Sequence, residues 1–193
     1  MEKSKKRIAI FASGSGSNAQ RIFEFFKDSE VGEVVCVLSN KPDAYVLQRS
    51  RLFNISTFVF SRKEFYETEK VLQYLQEQEI DLIVLAGFLW LVPGNLIHSF
   101  PGRIINIHPA LLPKYGGKGM YGEHVHKAVI DNKERESGIT IHFANDHFDE
   151  GEIIMQKKCE VNEEDTPESL ARKIQKLEHE FYPVAIENII KNI

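Results

Sequence analysis

Cysteine is scarce in this chain: its 193 residues include only two, Cys36 and Cys159. Each lies inside an apolar or alternating run. Two isolated thiols leave no disulfide scaffold and no paired-cysteine zinc motif. We therefore expect both to be reduced, packed side chains without a catalytic role.

Long apolar runs and long basic runs are also missing. No stretch approaches the roughly 18 apolar residues of a membrane-spanning helix, and the basic N-terminus precedes only a strand-length apolar run, unlike a signal peptide. Lys and Arg total 24 against 28 Asp and Glu, a net charge of −4, and no Lys/Arg block occurs. We expect a cytoplasmic protein whose partners include neither nucleic acid nor a membrane.

The composition that is present is that of an ordinary globular protein, 42% hydrophobic and 27% charged. A chain of this length fits one domain, and no repeat, linker or low-complexity tract divides it. We expect a single domain over residues 1–193. Such a domain is large enough to bury a core without disulfides or metal ions.

Short apolar runs alternate with helical patterns through the first half. The strand-like runs cover residues 7–12, 33–38, 56–60, 81–86 and 103–108, and the helical patterns cover residues 19–27, 44–52 and 62–78. This alternation predicts an α/β fold of the Rossmann-like kind, with a mostly parallel sheet flanked by helices. Ligands bind such sheets beyond the carboxyl ends of the strands.

The C-terminal half has a different pattern. Residues 139–144 alternate in polarity, and a turn at residues 149–151 leads into residues 153–161, which predicts an antiparallel strand pair beside the parallel strands. A long helix is expected from Thr166 onward. Pro183 is expected to kink or interrupt that helix.

A glycine-rich turn, Ser-Gly-Ser-Gly-Ser-Asn at residues 13–18, joins the first strand to the first helix. Small residues let an anion approach the backbone, and the helix N-terminus offers unpaired N–H groups and a positive dipole. Gly16, Ser17 and Asn18 are therefore candidate phosphate-binding residues. The simpler interpretation is a tight turn in which Ser17 or Asn18 caps the helix.

The same turn permits a second functional interpretation. Gly14, Gly16 and Ala19 match the G-x-G-x-x-A dinucleotide fingerprint in the right context. That fingerprint also requires an acidic residue about 20 positions later. Asn40 and Lys41 stand there instead, which weakens NAD binding and leaves NADP binding through Lys41 as a faint alternative.

A polar cluster follows the fifth strand. Asn106 and His108 lie two residues apart, so both point to one face of a strand. An amide that donates to a developing oxyanion beside an imidazole that carries a proton suits acyl transfer. Asp149, in a later turn, could orient and stabilise the imidazole. A capped strand end and an ordinary turn aspartate remain the simpler interpretations.

A metal site is the third possibility raised by the side chains. His124 and His126 could join His108 or His142, but no HExxH or cysteine pattern supports a zinc ligand set. We therefore predict no metal.

The motifs together resemble the phosphoribosylglycinamide formyltransferase family, folate-dependent enzymes of purine synthesis. The resemblance runs in order through SGSGSN at 13–18, SNKPDA at 39–44, LAGFLWLV at 85–92, INIHPALLPKY at 105–115, GITIHF at 138–143, DHFDEGEII at 146–154 and LEHEFYP at 177–183. It covers the chain from about residue 7 to residue 190. The Asn-x-His-Pro-x-Leu-Leu-Pro run is specific to folate-type formyltransferases.

The resemblance implies a reaction and its catalytic residues. The formyl group of 10-formyltetrahydrofolate would pass to the amine of glycinamide ribonucleotide, with Asn106 stabilising the oxyanion and His108, supported by Asp149, moving protons. Residues 1–100 would form the phosphate-binding half, and residues 101–193 the catalytic and folate-binding half.

The resemblance also implies binding residues. The turn at Gly16, Ser17 and Asn18 would hold the substrate phosphate, and Glu178 would contact the ribose. Folate-binding positions are implied for Lys63, Leu89, Trp90, Leu91, Val92 and Asn106.

The chain departs from the family pattern at three places. Trp90 replaces an expected arginine, residues 116–122 are longer and richer in glycine, and Gln175 stands where relatives carry lysine. None of these changes affects the three implied catalytic residues.

Two other functions stay open. Another amine acceptor is possible, although formyltransferases acting on tRNA or sugar nucleotides generally carry a further domain, and tRNA binding requires a basic surface. A non-catalytic nucleotide-binding module on the same fold is the alternative of another class. The oligomeric state expected is monomer or homodimer.

Overall fold

The computed structural model describes residues 5–193 as one seven-stranded sheet with helices on both faces. The strands are β1 Lys6–Phe11, β2 Gly32–Ser39, β3 Ser56–Val59, β4 Leu82–Leu85, β5 Ile104–His108, β6 Glu136–Phe143 and β7 Ile153–Glu160. The helices are α1 Ser17–Phe26, α2 Tyr45–Leu52, α3 Arg62–Tyr66, α4 Lys70–Glu77, α5 Gly94–Ser99, α6 Glu123–Asp131 and α7 Pro167–Ile190.

The sheet order is β3-β2-β1-β4-β5-β6-β7. Strands β1 to β5 pair in parallel, whereas β5–β6 and β6–β7 pair antiparallel. The predicted fold class is thereby confirmed, including the antiparallel pair. The connections reverse direction between β1 and β4, which is the place where open α/β sheets bind ligands.

Both faces of the sheet are buried because helices cover both. On β1, Ile8 and Ile10 belong to one hydrophobic cluster, whereas Ala9 and Phe11 belong to the other. Alternate side chains point to opposite faces, so a strand covered on both sides must be apolar throughout. This explains why the parallel strands form uninterrupted apolar runs.

The predicted helix over residues 62–78 is wrong as one element, since α3 and α4 are separate helices. Between them, the Thr68 hydroxyl donates to the Glu64 carbonyl and accepts from the Lys70 amide. These side-chain bonds take the place of backbone helix bonds. Each helix also buries its own anchor, Phe65 on α3 and Leu75 on α4.

The predicted interruption at Pro183 is also wrong, because α7 continues through it to Ile190. Pro183 is buried, and the preceding Tyr182 hydroxyl donates to the carbonyls of Leu85 (2.9 Å) and Ile105 (3.3 Å). These tertiary contacts hold the helix to the ends of β4 and β5. They offset the one backbone bond that proline removes.

Two helices, α5 and α6, were not predicted, and β6 begins three residues earlier than predicted. Cys36 is buried and Cys159 partly exposed, and both are free thiols. Burial raises the pKa of the Cys36 thiol to about 12. Over residues 5–193, no helix is both long enough and apolar enough to cross a membrane.

Candidate active site

A cavity of about 920 Å³ opens at the carboxyl ends of β1, β4 and β5. One end is bounded by the glycine turn and α7, and the other by the segment after β4. Residues 117–122 and 144–149 form further walls. The cavity therefore joins the two places where the sequence predicted binding.

Gly16 begins the turn's helix in the left-handed conformation, with φ of 73°. A Cβ here would lie 2.5 Å from Val46 Cγ2 and 2.9 Å from Val46 Cα, so only glycine fits against α2. Gly16 occupies the N-cap position without a side-chain cap. Ser17 and Asn18 are consequently first-turn residues and not caps.

The predicted phosphate residues differ in their access to the cavity. Asn18 and the preceding Ser15 line it, whereas Gly16 and Ser17 do not. The first N–H groups of a helix have no partner within that helix, so α1 still offers backbone donors at this end. The Gln175 amide donates to the Ser17 hydroxyl at 3.3 Å, which ties α7 to the turn.

Glu178 reaches the turn from α7. The Asn18 Nδ2 amide donates to Glu178 Oε2 at 3.0 Å. Burial raises the pKa of Glu178 to about 7, and the Asn18 bond only partly opposes this rise. A carboxyl group that lines the cavity and titrates near neutrality is well placed to bind ligand hydroxyls.

The structure brings the three candidate catalytic residues together. Asp149 Oδ1 accepts from Asn106 Nδ2 at 3.3 Å, and Asp149 Oδ2 lies 3.4 Å from His108 Nδ1. The Gly117 amide donates to Asp149 Oδ2 at 3.0 Å. Asp149 also has a positive φ of 58°, an unusual conformation for a residue other than glycine.

His108 is almost fully buried and lines the cavity. Its Nε2 lies 2.7 Å from the Tyr115 carbonyl, which can only accept a hydrogen bond, so Nε2 carries a proton. Burial lowers the pKa of His108, against the opposing effects of Asp149 and the Tyr115 carbonyl. The neutral ring can therefore take up a proton on Nδ1, beside the Asp149 carboxylate.

The pKa of Asp149 shows the reverse balance. Burial acts to raise it, but the neighbouring His142, the charge of His108 and the Gly117 amide together outweigh burial and lower it. Asp149 is therefore ionised when His108 is protonated. The Asp149 carboxylate and the protonated His108 ring can therefore form an ion pair within the buried site.

His142 is a member of this network that the sequence did not assign to catalysis. Its Nδ1 lies 2.9 Å from the Phe143 carbonyl, so that nitrogen carries the proton and Nε2 accepts from Asn106 Nδ2 at 3.1 Å. His142 pairs directly with Asn106 across β5 and β6. Both Nδ2 hydrogens of Asn106 therefore already donate, one to His142 and one to Asp149. Asn106 can donate to a reacting oxygen only if it gives up one of these hydrogen bonds.

The opposite wall matches most of the predicted folate positions. Leu89, Trp90, Leu91 and Val92 all line the cavity, but Lys63 does not. The neighbouring Arg62 lines it instead. Sequence reasoning missed Arg62 because the cavity-facing side of the short helix α3 depends on its packing.

Two buried polar atoms at the cavity have no hydrogen-bond partner among the described residues, His126 Nδ1 and Asn18 Oδ1. His126 lies on α6 and lines the cavity. Buried polar groups are generally paired, so these two atoms are exceptions at the edge of the site. Within residues 5–193, no cluster of His, Cys, Asp or Glu is arranged to hold a metal ion.

Comparison with known proteins agrees with this geometry. Residues 6–186 match the family described as formyl transferase. The chain is 41% identical over 187 residues to "Phosphoribosylglycinamide formyltransferase, chloroplastic" of Arabidopsis thaliana, covering 94% of this chain and 64% of that protein. It is 36% identical to "Phosphoribosylglycinamide formyltransferase" of Bacillus subtilis, covering 96% and 95%. The chain thus spans less than two thirds of the plant relative and nearly all of the bacterial one.

Solved structures give the same result. The crystal structure of phosphoribosylglycinamide formyltransferase from Bacillus halodurans superposes with a TM-score of 0.86 at 37% identity, covering 96% of this chain and 95% of that one. The corresponding protein from Anaplasma phagocytophilum superposes with a TM-score of 0.89 at 33% identity, covering 98% and 88%. From its sequence match, its fold and the arrangement at its sheet edge, the chain belongs to the formyl transferase family.

Proposed function

We propose that the chain transfers a formyl group from 10-formyltetrahydrofolate to the amine of glycinamide ribonucleotide. The observation that carries this proposal is the contact of Asp149 with both Asn106 and His108, in a cavity that also reaches the glycine turn and an apolar wall. Relatives named for this activity cover most of the chain, and a Drosophila relative is named a trifunctional purine biosynthetic protein.

The ribonucleotide fits the end of the cavity formed by α1 and α7. Its phosphate would bind the N-terminus of α1 at Gly16, Ser17 and Asn18, where backbone N–H groups and the helix dipole favour an anion. Its ribose hydroxyls would donate to Glu178. This places the substrate amine toward the centre of the cavity.

The folate fits the other end. Leu89, Trp90, Leu91 and Val92 offer an apolar wall for a flat ring, and Asn106 lies where the formyl group would reach. In place of Lys63, the cavity-facing Arg62 supplies positive charge at the mouth. Bound there, the folate supplies an activated formyl carbon.

The protein's residues assist a transfer in which one C–N bond forms and another breaks. The substrate amine attacks the formyl carbon and loses a proton, and the folate nitrogen leaves and gains one. Asn106 Nδ2 donates to the formyl oxygen as negative charge develops. His108 takes up and returns the proton, and Asp149 stabilises the charged ring.

The direct test is an absorbance assay of the purified protein with 10-formyl folate and glycinamide ribonucleotide. Release of deformylated folate should require the ribonucleotide and disappear in Asn106→Ala. Release without any acceptor would identify a hydrolase. Folate binding without release would favour another acceptor or a non-catalytic binding protein.

Ser17→Asp should raise the KM for the ribonucleotide at least about tenfold, because a carboxylate in the first turn of α1 would repel a phosphate bound at that helix end. An acidic residue in the first turn of a helix favours folding, so α1 should stay intact. Steady-state kinetics with Ser17→Asn as the matched neutral control measures the effect. Equal KM values in the two variants would place the phosphate elsewhere.

Glu178→Gln should have opposite effects on stability and on substrate binding. The pKa of Glu178 in the folded protein, about 7, exceeds the ordinary 4.5. The free energy of unfolding of the wild type therefore falls as pH rises from 4.5 to 7, because the buried group must ionise. Glu178→Gln removes this penalty and should raise Tm at pH 8 but leave it unchanged near pH 4.

The same variant should raise the KM for the ribonucleotide about tenfold at pH 8, since a carboxylate accepts hydrogen bonds more strongly than an amide. In the wild type, this KM should fall as pH rises through about 7, and the variant should lose that dependence. Glu180→Gln, at an exposed position on the same helix, is the control. A retained pH dependence in Glu178→Gln would assign it to another group.

Four sequence-based expectations stay proposals: a single domain over residues 1–193, a cytoplasmic location, the absence of nucleic-acid partners, and a monomer or homodimer. The Arabidopsis relative is named as chloroplastic, so members of the family occur in more than one compartment. Size-exclusion chromatography with light scattering would measure the oligomeric state.

A further inference from the structure

The mouth of the cavity carries a positive charge in contact with two adjacent aromatic rings. The Arg62 guanidinium carbon lies 4.9 Å from the centre of the Tyr66 ring and 5.5 Å from that of the Trp90 ring. All three side chains line the cavity. We propose that Tyr66 and Trp90 are positioning residues that hold Arg62 ready for an anionic group on the ligand at this end.

The polar atoms of Arg62 are not used by the described fold. Within the described chain, its guanidinium makes no ion pair and no hydrogen bond. Its five donors therefore remain free to bind a ligand, although the side chain is exposed. An exposed arginine that contacts nothing would lose much side-chain entropy on binding a ligand. Contact with the two rings reduces that loss.

Both rings are themselves held by other contacts. The Tyr66 hydroxyl donates to the Leu91 carbonyl at 2.9 Å, which ties α3 to the apolar wall. Trp90 packs against Phe60, Phe65 and Phe88 with ring centroids 5.9 to 6.4 Å apart. The rings thus belong to the buried aromatic cluster on one side and contact the arginine on the other.

The position of Arg62 in the cavity indicates which ligand carries the anion. This inference rests on the proposed function, in which the phosphate of one substrate binds at the far end of the cavity, on α1. The anion that reaches Arg62 therefore belongs to the other ligand, and the carboxylates of a folate tail have this chemistry. Trp90 consequently contributes to folate affinity through Arg62, with its indole ring and not with a charge of its own.

The test compares two ligands, 10-formylfolate and 10-formylpteroate, which lacks the glutamyl carboxylates. Trp90→Leu should raise the KM for formylfolate about fivefold more than it raises the KM for formylpteroate, as expected for loss of one cation–π contact. Any increase that both ligands share reports the contact of Trp90 with the flat ring. Trp90→Phe keeps an aromatic face and should restore most of the loss.

A double-mutant cycle separates positioning from direct contact. In an Arg62→Ala background, Trp90→Leu should raise the KM for formylfolate no more than it raises the KM for formylpteroate. Tyr66→Leu should behave as Trp90→Leu does, whereas Tyr66→Phe, which keeps the ring and loses the Leu91 bond, reports the role of the hydroxyl. An equal KM increase for both ligands, or additive losses in the cycle, would overturn the proposal.

Binding can be followed without turnover, because Trp90 is the only tryptophan in the chain. Quenching of its fluorescence by folate and by pteroate gives two dissociation constants in the wild type, in Tyr66→Leu and in Arg62→Ala. Carboxylate-dependent tightening that is lost in both variants supports the positioning role. This readout stands even if the ribonucleotide is not the acceptor, so failure of the proposed function would be distinguishable.

Discussion

We expect His108→Ala to lower kcat by about 10²-fold or more while leaving the KM of both substrates nearly unchanged. His108 is buried, with Nδ1 beside Asp149 and Nε2 bonded to the Tyr115 carbonyl. The variant keeps the anion-binding turn and the apolar wall but loses the group that takes up the proton. Steady-state kinetics with each substrate saturating in turn would measure the change.

The pH profile gives the same experiment a second readout. Burial lowers the pKa of His108, so the neutral, proton-accepting ring persists to pH values below the ordinary histidine range of about 6.5. The wild-type kcat should rise with pH through a midpoint below that value, and His108→Ala should lose this limb. The pH dependence assigned to Glu178 is expected in the KM for the ribonucleotide and not in kcat.

Two further variants make the outcome specific. His98→Ala removes an exposed histidine on α5 and should leave kcat unchanged. His108→Gln fills more of the buried space than alanine but cannot carry the proton, so it should be as slow as His108→Ala. A kcat within a few-fold of the wild type in both His108 variants would remove this residue from the mechanism.

Asp149→Asn should lower kcat by about 10²-fold or more, because the charged imidazole loses its carboxylate partner. The substitution suits the backbone, since asparagine is among the residues that best tolerate the positive φ found here. Its side-chain oxygen can still accept from the Gly117 amide. The loss can therefore be attributed to charge and not to a displaced loop.

The pH profile again separates the explanations. The Asp149 charge acts to raise the pKa of His108 against burial, so Asp149→Asn should move the acid limb of kcat to lower pH. Asp146→Asn is the matched control, because Asp146 is exposed and pairs only with His147 at the surface. An unmoved acid limb together with a near-normal kcat would show that Asp149 does not act on His108.

The parallel part of the fold was predictable from local pattern. Each strand of β1 to β5 is an apolar run ended by turn residues, and the observed bounds differ from the predicted ones by one residue at most at each end. The errors lie where a local side-chain bond or buried tertiary contacts outweigh the helical pattern. Thr68 divides one predicted helix into two, and α7 passes through Pro183 because its neighbours are buried.

The candidate site was predictable only in part, for a related reason. Asn106 and His108 share a strand, so their common face follows from the strand period. The resemblance implied Lys63 as a folate-binding residue, whereas the structure places the neighbouring Arg62 on the cavity wall. A five-residue helix has no periodic pattern long enough to show which side faces the cavity.

By itself, the sequence determined the α/β class, the strand order along the chain, the glycine turn and the strand end that carries Asn106 and His108. Its motifs also indicated the formyltransferase family. These features depend on residues close together in the chain, whose periodicity and turn preferences are local. Tertiary structure alone decided that Asp149, 43 residues beyond Asn106, contacts it, and that His142 pairs with Asn106 across the sheet. Strand register and loop placement depend on non-local packing, which no local pattern encodes.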